Sequence, residues 1–105
     1  MRAQDYTIAK QLRERLSESI ALVDFRVFGS RARGAADEHS DMDVFIEVAS
    51  LDGSIEEKIF DVVWEVGFQN YVLISPLVFT KEEIEKSPLR SSPIVRNIME
   101  EGVKV

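Results

Sequence analysis

From Asp41 to Val48 the chain alternates with a period of two, so that Met42, Val44, Ile46 and Val48 share one face of a strand and Asp41, Asp43, Phe45 and Glu47 the other. Such a strand has to lay its apolar face on a core. It also commits two acids, Asp41 and Asp43, to the same side of a sheet. The rest of the chain must supply that sheet and its cover. Upstream, Gln4 to Ser19 places Ile8 and Leu12 on a four-residue spacing that continues through Leu16 to Ile20, with charges between, as in an amphipathic helix. Leu22 to Phe28 is rich in β-branched and aromatic residues, with Val23, Phe25 and Val27 alternating, and reads as a strand. It ends at Gly29-Ser30, and a polar stretch runs from Arg31 to Ser40.

Downstream, Ser54-Ile55-Glu56-Glu57 fits a capping box, and the helix it opens carries Ile55, Ile59, Phe60, Val62, Val63, Trp64 and Val66 before a stop at Gly67. Its apolar arc is wider than one sheet face requires, which predicts that the surplus meets the first helix, a second copy or another protein. Asn70 to Phe79 reads as a third strand whose Pro76 confines it to an edge or a bulge. Thr80-Lys81-Glu82-Glu83 is a second capping box, opening a short helix that Pro88 stops. Ser92-Pro93 reads as an N-cap with proline at the first helical position, followed by the stripe Ile94, Val95, Ile98 and Met99 and an end at Gly102. The order α-β-β-α-β-α gives an α/β (α+β) fold, a small mixed sheet with helices packed on it.

Length and composition bound what this fold does. At 105 residues the expectation is one domain over 1–105. Thirteen basic against 19 acidic side chains leave a net charge of −6, which argues against gripping nucleic acid by general charge. No cysteine is present, so disulfides, thiol nucleophiles and thiolate-bound zinc are excluded. With neither a signal-peptide pattern nor an apolar run long enough to cross a bilayer, no membrane association and a cytoplasmic location are expected.

The chemistry is concentrated in Val27-Phe28-Gly29-Ser30-Arg31-Ala32-Arg33-Gly34 and Ser40-Asp41-Met42-Asp43. Two carboxylates on one strand face repel, and a divalent cation between them removes that cost. Mg²⁺ takes hard oxygen ligands, typically one or two carboxylates with water and substrate phosphates. At the end of the neighbouring strand, Gly29 lets backbone amides approach a phosphate and Ser30 adds a hydroxyl. Arg31 and Arg33 add positive charge. Each element alone has an ordinary reading: the aspartates as a solvated face, Gly-Ser as a turn, the arginines as surface partners of Asp37 or Glu38. Together they read as a metal–triphosphate site.

This combination resembles the minimal nucleotidyltransferases of the DNA polymerase beta superfamily, whose signature is Gly-Ser, an interval, then Asp-x-Asp, often with Ala-Arg-Gly after the serine and Ser before the first aspartate. Gly29-Ser30, Ala32-Arg33-Gly34 and Ser40-Asp41-Met42-Asp43, with ten residues between Ser30 and Asp41, match every part. The resemblance implies a polymerase beta palm-like fold and transfer of a nucleoside monophosphate, AMP from ATP, to a hydroxyl acceptor. It implies Mg²⁺ (or Mn²⁺) on the catalytic pair Asp41 and Asp43, and a triphosphate held by Gly29 and Ser30, with Arg33 as a further phosphate contact. It also implies a partner, since small relatives often pair with an all-helical HEPN-type protein in toxin–antitoxin modules, some adding AMP to that partner. A homo-oligomer is the other way to complete an acceptor site.

One departure bears on activity. Catalytic relatives usually carry a third carboxylate on the strand after the second helix, and Asn70 to Phe79 contains no acid. Glu47 lies on the right face but four residues from Asp43, roughly 13 Å along a strand. Glu82 and Glu83 are candidates only if the chain folds back. The second reading is therefore a catalytically weakened nucleotide-binding antitoxin or regulatory protein. The solitary His39 reads as an exposed loop residue, and Phe60 and Trp64 as core rather than a platform for a base.

Overall fold

The computed structural model describes residues 1–37 and 39–105, leaving Glu38 and its suggested pairing outside the described residues. The elements are α1 (Ala3–Ser19), β1 (Leu22–Phe28), α2 (Gly29–Ala32), β2 (Met42–Val48), α3 (Gly53–Asn70), β3 (Ile74–Thr80), α4 (Lys81–Lys86), a 3₁₀ turn (Pro88–Ser91), α5 (Pro93–Glu101) and β4 (Val103–Lys104). The strands form one sheet in the order β3-β2-β1-β4. β1 runs antiparallel to both β2 and β4, while β2 and β3 are parallel. A parallel pair needs a long crossover, and α3 is that crossover.

The alternation in β2 is realised on both sides. Met42, Val44, Ile46 and Val48 are buried against Ile8, Leu12 and Leu16 of α1 and Ile59, Val62, Val63 and Val66 of α3, with Phe25 and Val27 of β1 in the same layer. The reverse face is also covered. Phe45 is fully buried there, with Val95 and Ile98 of α5 buried as well, and its ring lies 5.7 Å from that of Phe79. On this face Arg26 bridges Asp24, to which Nε donates at 2.9 Å, and the Met99 carbonyl of α5, to which Nη1 donates at 3.0 Å. Glu47 is buried in register with Asp24, and its carboxyl is pushed up first by that burial and then by the Asp24 charge.

Several local expectations hold. Thr80 and Glu83 form the reciprocal capping box, Ser92 caps α5 with Pro93 behind it, and β3, with Pro76 inside, is an edge strand. Others are corrected. Asp52, not the Ser54 box, caps α3, accepting from the Ile55 amide at 2.8 Å. Two residues nearer the strand, it closes the helix at an earlier amide. Gly67 does not stop α3. The helix runs on to Asn70 and ends with Tyr71 at φ +55, so β3 begins at Ile74 rather than Asn70. Gly67 is instead a packing position, since a Cβ there would lie 2.6 Å from the Val72 carbonyl.

Phe60 and Trp64 are not core. Trp64 is 68% exposed and stacks on the equally bare Phe68, with ring centroids 5.1 Å apart. The buried arc of α3 is complete with Ile59, Val62, Val63 and Val66, which leaves Phe60, Trp64 and Phe68 on a second ridge. With Tyr71, Leu73 and Pro76 they line an apolar hollow of about 530 Å³ beside the edge strand.

Candidate functional site

The antiparallel pairing of β1 and β2 brings the two halves of the motif together. Phe28 is in register with Asp43, so Gly29, the next residue, turns directly over the Asp43 carboxylate. Gly29 has φ +74, and a Cβ built there would lie 2.5 Å from Asp43 Oδ2. Glycine is required on both counts, backbone and space. Ser30 follows half-buried, and α2 folds the chain back, with the Ala35 amide donating to the Ser30 carbonyl at 3.0 Å.

Asp41 is exposed just ahead of β2, and Asp43 is partly buried within it. The Asp43 carboxyl is raised above its ordinary range, first by burial and then by the negative charge of Asp41. Excess negative charge is therefore held at one point, beside a glycine turn with no side chain in the way. The parallel pairing of β2 with β3 sets Ser75 opposite Asp43, and Ser75 Oγ donates to Asp41 Oδ2 at 3.2 Å. A hydroxyl thus stands on the third strand directly beside the aspartate pair. The donor set fits a Mg²⁺ ion bound by two hard carboxylates with substrate phosphate and water completing its shell. Among the described residues no group of three or more His, Cys, Asp or Glu side chains gathers for a metal.

Glu47, Glu82 and Glu83 lie away from this point. Because β3 is parallel to β2, Thr80 lies opposite Val48, at the far end of the strand from Asp43. Glu82 and Glu83 follow Thr80, and Glu83 is engaged in the α4 cap. The chain does not fold back, so neither substitutes for a third carboxylate. Glu47 is buried on the reverse face near the end of β2 remote from Asp43, opposite Asp24.

The two arginines part company. Arg33 is exposed and, with Gly29, Asn97 and Glu101, borders a small cleft of about 170 Å³ between α2 and α5. Arg31 is 6% exposed and turns inward, away from any triphosphate. Nη1 donates to Asp5 Oδ1 at 2.6 Å, and Nε and Nη2 donate to the Ser40 carbonyl at 2.9 and 2.6 Å. The charge expected at the phosphates from Arg31 is spent on an internal ion pair. Asp5 is the residue that sequence reasoning missed. The signal was its place on the buried stripe of α1, three residues before Ile8, where an acid needs a partner. His39 is exposed, and its backbone amide donates to Asp37 Oδ1 at 2.8 Å. That bond, followed by one from the Ser40 hydroxyl, lowers the Asp37 carboxyl.

A mixed sheet in which a Gly-Ser turn faces an Asp-x-Asp strand is the nucleotidyltransferase type of fold. The model of the nucleotidyltransferase domain family matches residues 8–105, and the chain belongs to that family. Among solved structures it is similar to one described as a toxin–antitoxin with AMP-PNP, at 19% identity over 95% of this chain and 70% of that one, with a TM-score of 0.60. It is also similar to a putative nucleotidyltransferase from Sulfolobus solfataricus, at 22% identity over 79% of this chain and 76% of that one, with a TM-score of 0.54. At these identities the likeness is one of fold. No curated protein matches the chain in sequence, and no helix among the described residues is long and apolar enough to cross a membrane.

Proposed function

We propose that the chain, one nucleotidyltransferase domain over 1–105, transfers AMP from ATP to a hydroxyl on a partner protein. The observation that carries this reading is the packing of Gly29 onto Asp43, which sets the backbone of the glycine-serine turn, with no side chain between, directly beside the paired carboxylates. In it, backbone amides around Gly29 and the Ser30 hydroxyl hold the β- and γ-phosphates, with Arg33 at the rim. Mg²⁺ or Mn²⁺ bound by Asp41 and Asp43 would polarise the phosphate and stabilise charge on the attacking and leaving oxygens. The acceptor oxygen bonds to the α-phosphorus, its proton passes to water, and the bond to the β-phosphate breaks to release pyrophosphate.

The acceptor and the missing acid come from outside the chain. A partner is favoured by the bare ridge of Phe60, Trp64 and Phe68, along one flank of which lie the acids Glu57 and Asp61 of α3. A helical protein with an apolar stripe flanked by basic residues suits that surface, and a HEPN-type toxin is the proposed class. The similar toxin–antitoxin structure with AMP-PNP is consistent with this. A cytoplasmic location, where ATP is at hand, goes with this reading. The second reading, a nucleotide-binding antitoxin without turnover, is favoured by Ser75, which places a hydroxyl where catalysis would want a carboxylate.

Co-expression with the product of the neighbouring gene, followed by labelling with ATP carrying a radioactive α-phosphate, tests the proposal. The expected outcome is label on the partner that disappears in Asp41→Asn/Asp43→Asn, with little pyrophosphate released by the chain alone. Binding of ATP without labelling under any condition would favour the antitoxin reading. Rapid pyrophosphate release without the partner would contradict the dependence on an outside acid.

A further inference from the structure

One side chain joins three parts of the molecule that must agree if the aspartate pair is to hold a metal. Arg31 follows Gly29-Ser30 directly. Its guanidinium is clamped by Asp5, itself 3% exposed, on the first turn of α1, and it donates twice to the carbonyl of Ser40, the residue before Asp41. A planar guanidinium presents its donors in a fixed fork, so the position of Asp5 sets the direction in which Arg31 can hold Ser40. Met42, on the other side of Asp41, is tied by its amide to the Leu73 carbonyl at 2.9 Å. Asp41 is thus held on both sides, by the arginine fork and by the entry of the sheet.

A buried ion pair is a poor way to gain stability, because burying both charges costs about as much as their attraction returns, and apolar replacements are often neutral or better. Fixing geometry is the use that remains. We infer that Asp5 and Arg31 are positioning residues, a buried strut that sets the Ser40 backbone and through it the direction of the Asp41 carboxylate. The inference rests on the proposed metal–triphosphate site for its consequence, although the strut itself is independent of any ligand.

The test compares Arg31→Lys, which keeps the charge and can still pair with Asp5 but has no fork, with Asp5→Asn and with the exchange Asp5→Arg/Arg31→Asp. The exchanged pair restores opposite charges but puts no donor on the Ser40 carbonyl. In ligand-free protein, amide hydrogen exchange at Asp41 and Met42 is expected to quicken about tenfold in Arg31→Lys while the α3 core stays protected. Affinity for Mn²⁺ in the presence of ATP is expected to fall about 10- to 100-fold in both single variants, the usual cost of losing a group that orients a metal ligand. The exchanged pair is expected to regain thermal stability over the single variants without regaining Mn²⁺ affinity.

Wild-type exchange rates and wild-type affinity in folded Arg31→Lys or Asp5→Asn would overturn the strut, as would recovery of both stability and affinity in the exchanged pair. Wild-type protein that binds no Mn²⁺–ATP would instead overturn the site reading, and the exchange rates at Asp41 and Met42 would still decide for or against the strut.

Discussion

Ser75→Asp is expected to raise the rate at which the chain releases pyrophosphate from ATP. Ser75 lies opposite Asp43 in the β2–β3 pairing, and its hydroxyl already reaches the Asp41 carboxylate. A carboxylate at that position would complete a three-acid cluster on adjoining strands without moving the backbone. In the absence of metal the added charge has only repulsion to offer. At about 4 Å and near-water screening this costs about 1 kcal/mol per like-charged neighbour, so the metal-free variant should melt earlier than wild type. Mn²⁺ should reverse the order, and pyrophosphate release should rise about 10- to 100-fold, the scale on which ligand-shell changes act. Melting curves with and without Mn²⁺, run beside a pyrophosphate assay, check both halves. A variant no faster than wild type, with no larger Mn²⁺-induced shift in melting, would show that the third strand is not where the missing ligand belongs.

The second large effect is expected at Gly29. An alanine there must adopt φ +74 and drive its Cβ to 2.5 Å from Asp43 Oδ2. The backbone strain alone is worth about 1–3 kcal/mol, and the contact can be relieved only by displacing the carboxylate. Gly29→Ala should therefore lose both stability and metal-dependent ATP binding. Gly34→Ala is the matched control. Gly34 has φ +71, but a Cβ there meets nothing nearer than 4.0 Å, so it should lose comparable stability and keep its affinity. Denaturant titration and calorimetry on the two variants separate strain from site disruption. Equal affinities in Gly29→Ala and Gly34→Ala would mean that Asp43 plays no part in binding.

What was legible in the sequence follows from the kind of signal each element carries. β2 was readable because its period of two is enforced by burial on one face, and the reverse face differed only in being covered by α5 as well. The caps at Thr80 and Ser92 were readable because the side chain and the amide it accepts from are three residues apart in the chain. The α3 cap was misplaced because Asp52 and Ser54 are both good caps, and tertiary placement of the preceding turn decides between them. Tyr71 took the left-handed closing position that the sequence offered to Gly67, where close packing against Val72 needed the glycine more. α2 spans only Gly29–Ala32, too short to show a period, and β4 is two residues long and exists only because β1 offers it an edge.

At the site, the meeting of Gly29-Ser30 with Asp41 and Asp43 was legible because strand pairing alone brings the two segments together. The division of labour between Arg31 and Arg33 was not, since both follow the same turn and only the fold shows that one faces Asp5. Phe60 and Trp64 went the same way. The width of the α3 arc signals a surplus of apolar residues, but helical spacing alone does not say which of them α1 and the sheet leave outside the core.

If the aspartate pair and the Gly-Ser turn form one metal–triphosphate site, ATP binding depends on both Mg²⁺ and Asp43. Calorimetric titration of ATP into wild type and Asp43→Asn, each with Mg²⁺ and with EDTA, tests it most directly. Wild type is expected to bind ATP only when Mg²⁺ is present, and Asp43→Asn to weaken that binding about 10- to 100-fold while leaving the fold intact by circular dichroism. Equal affinity in the two proteins, or binding that ignores Mg²⁺, would contradict it.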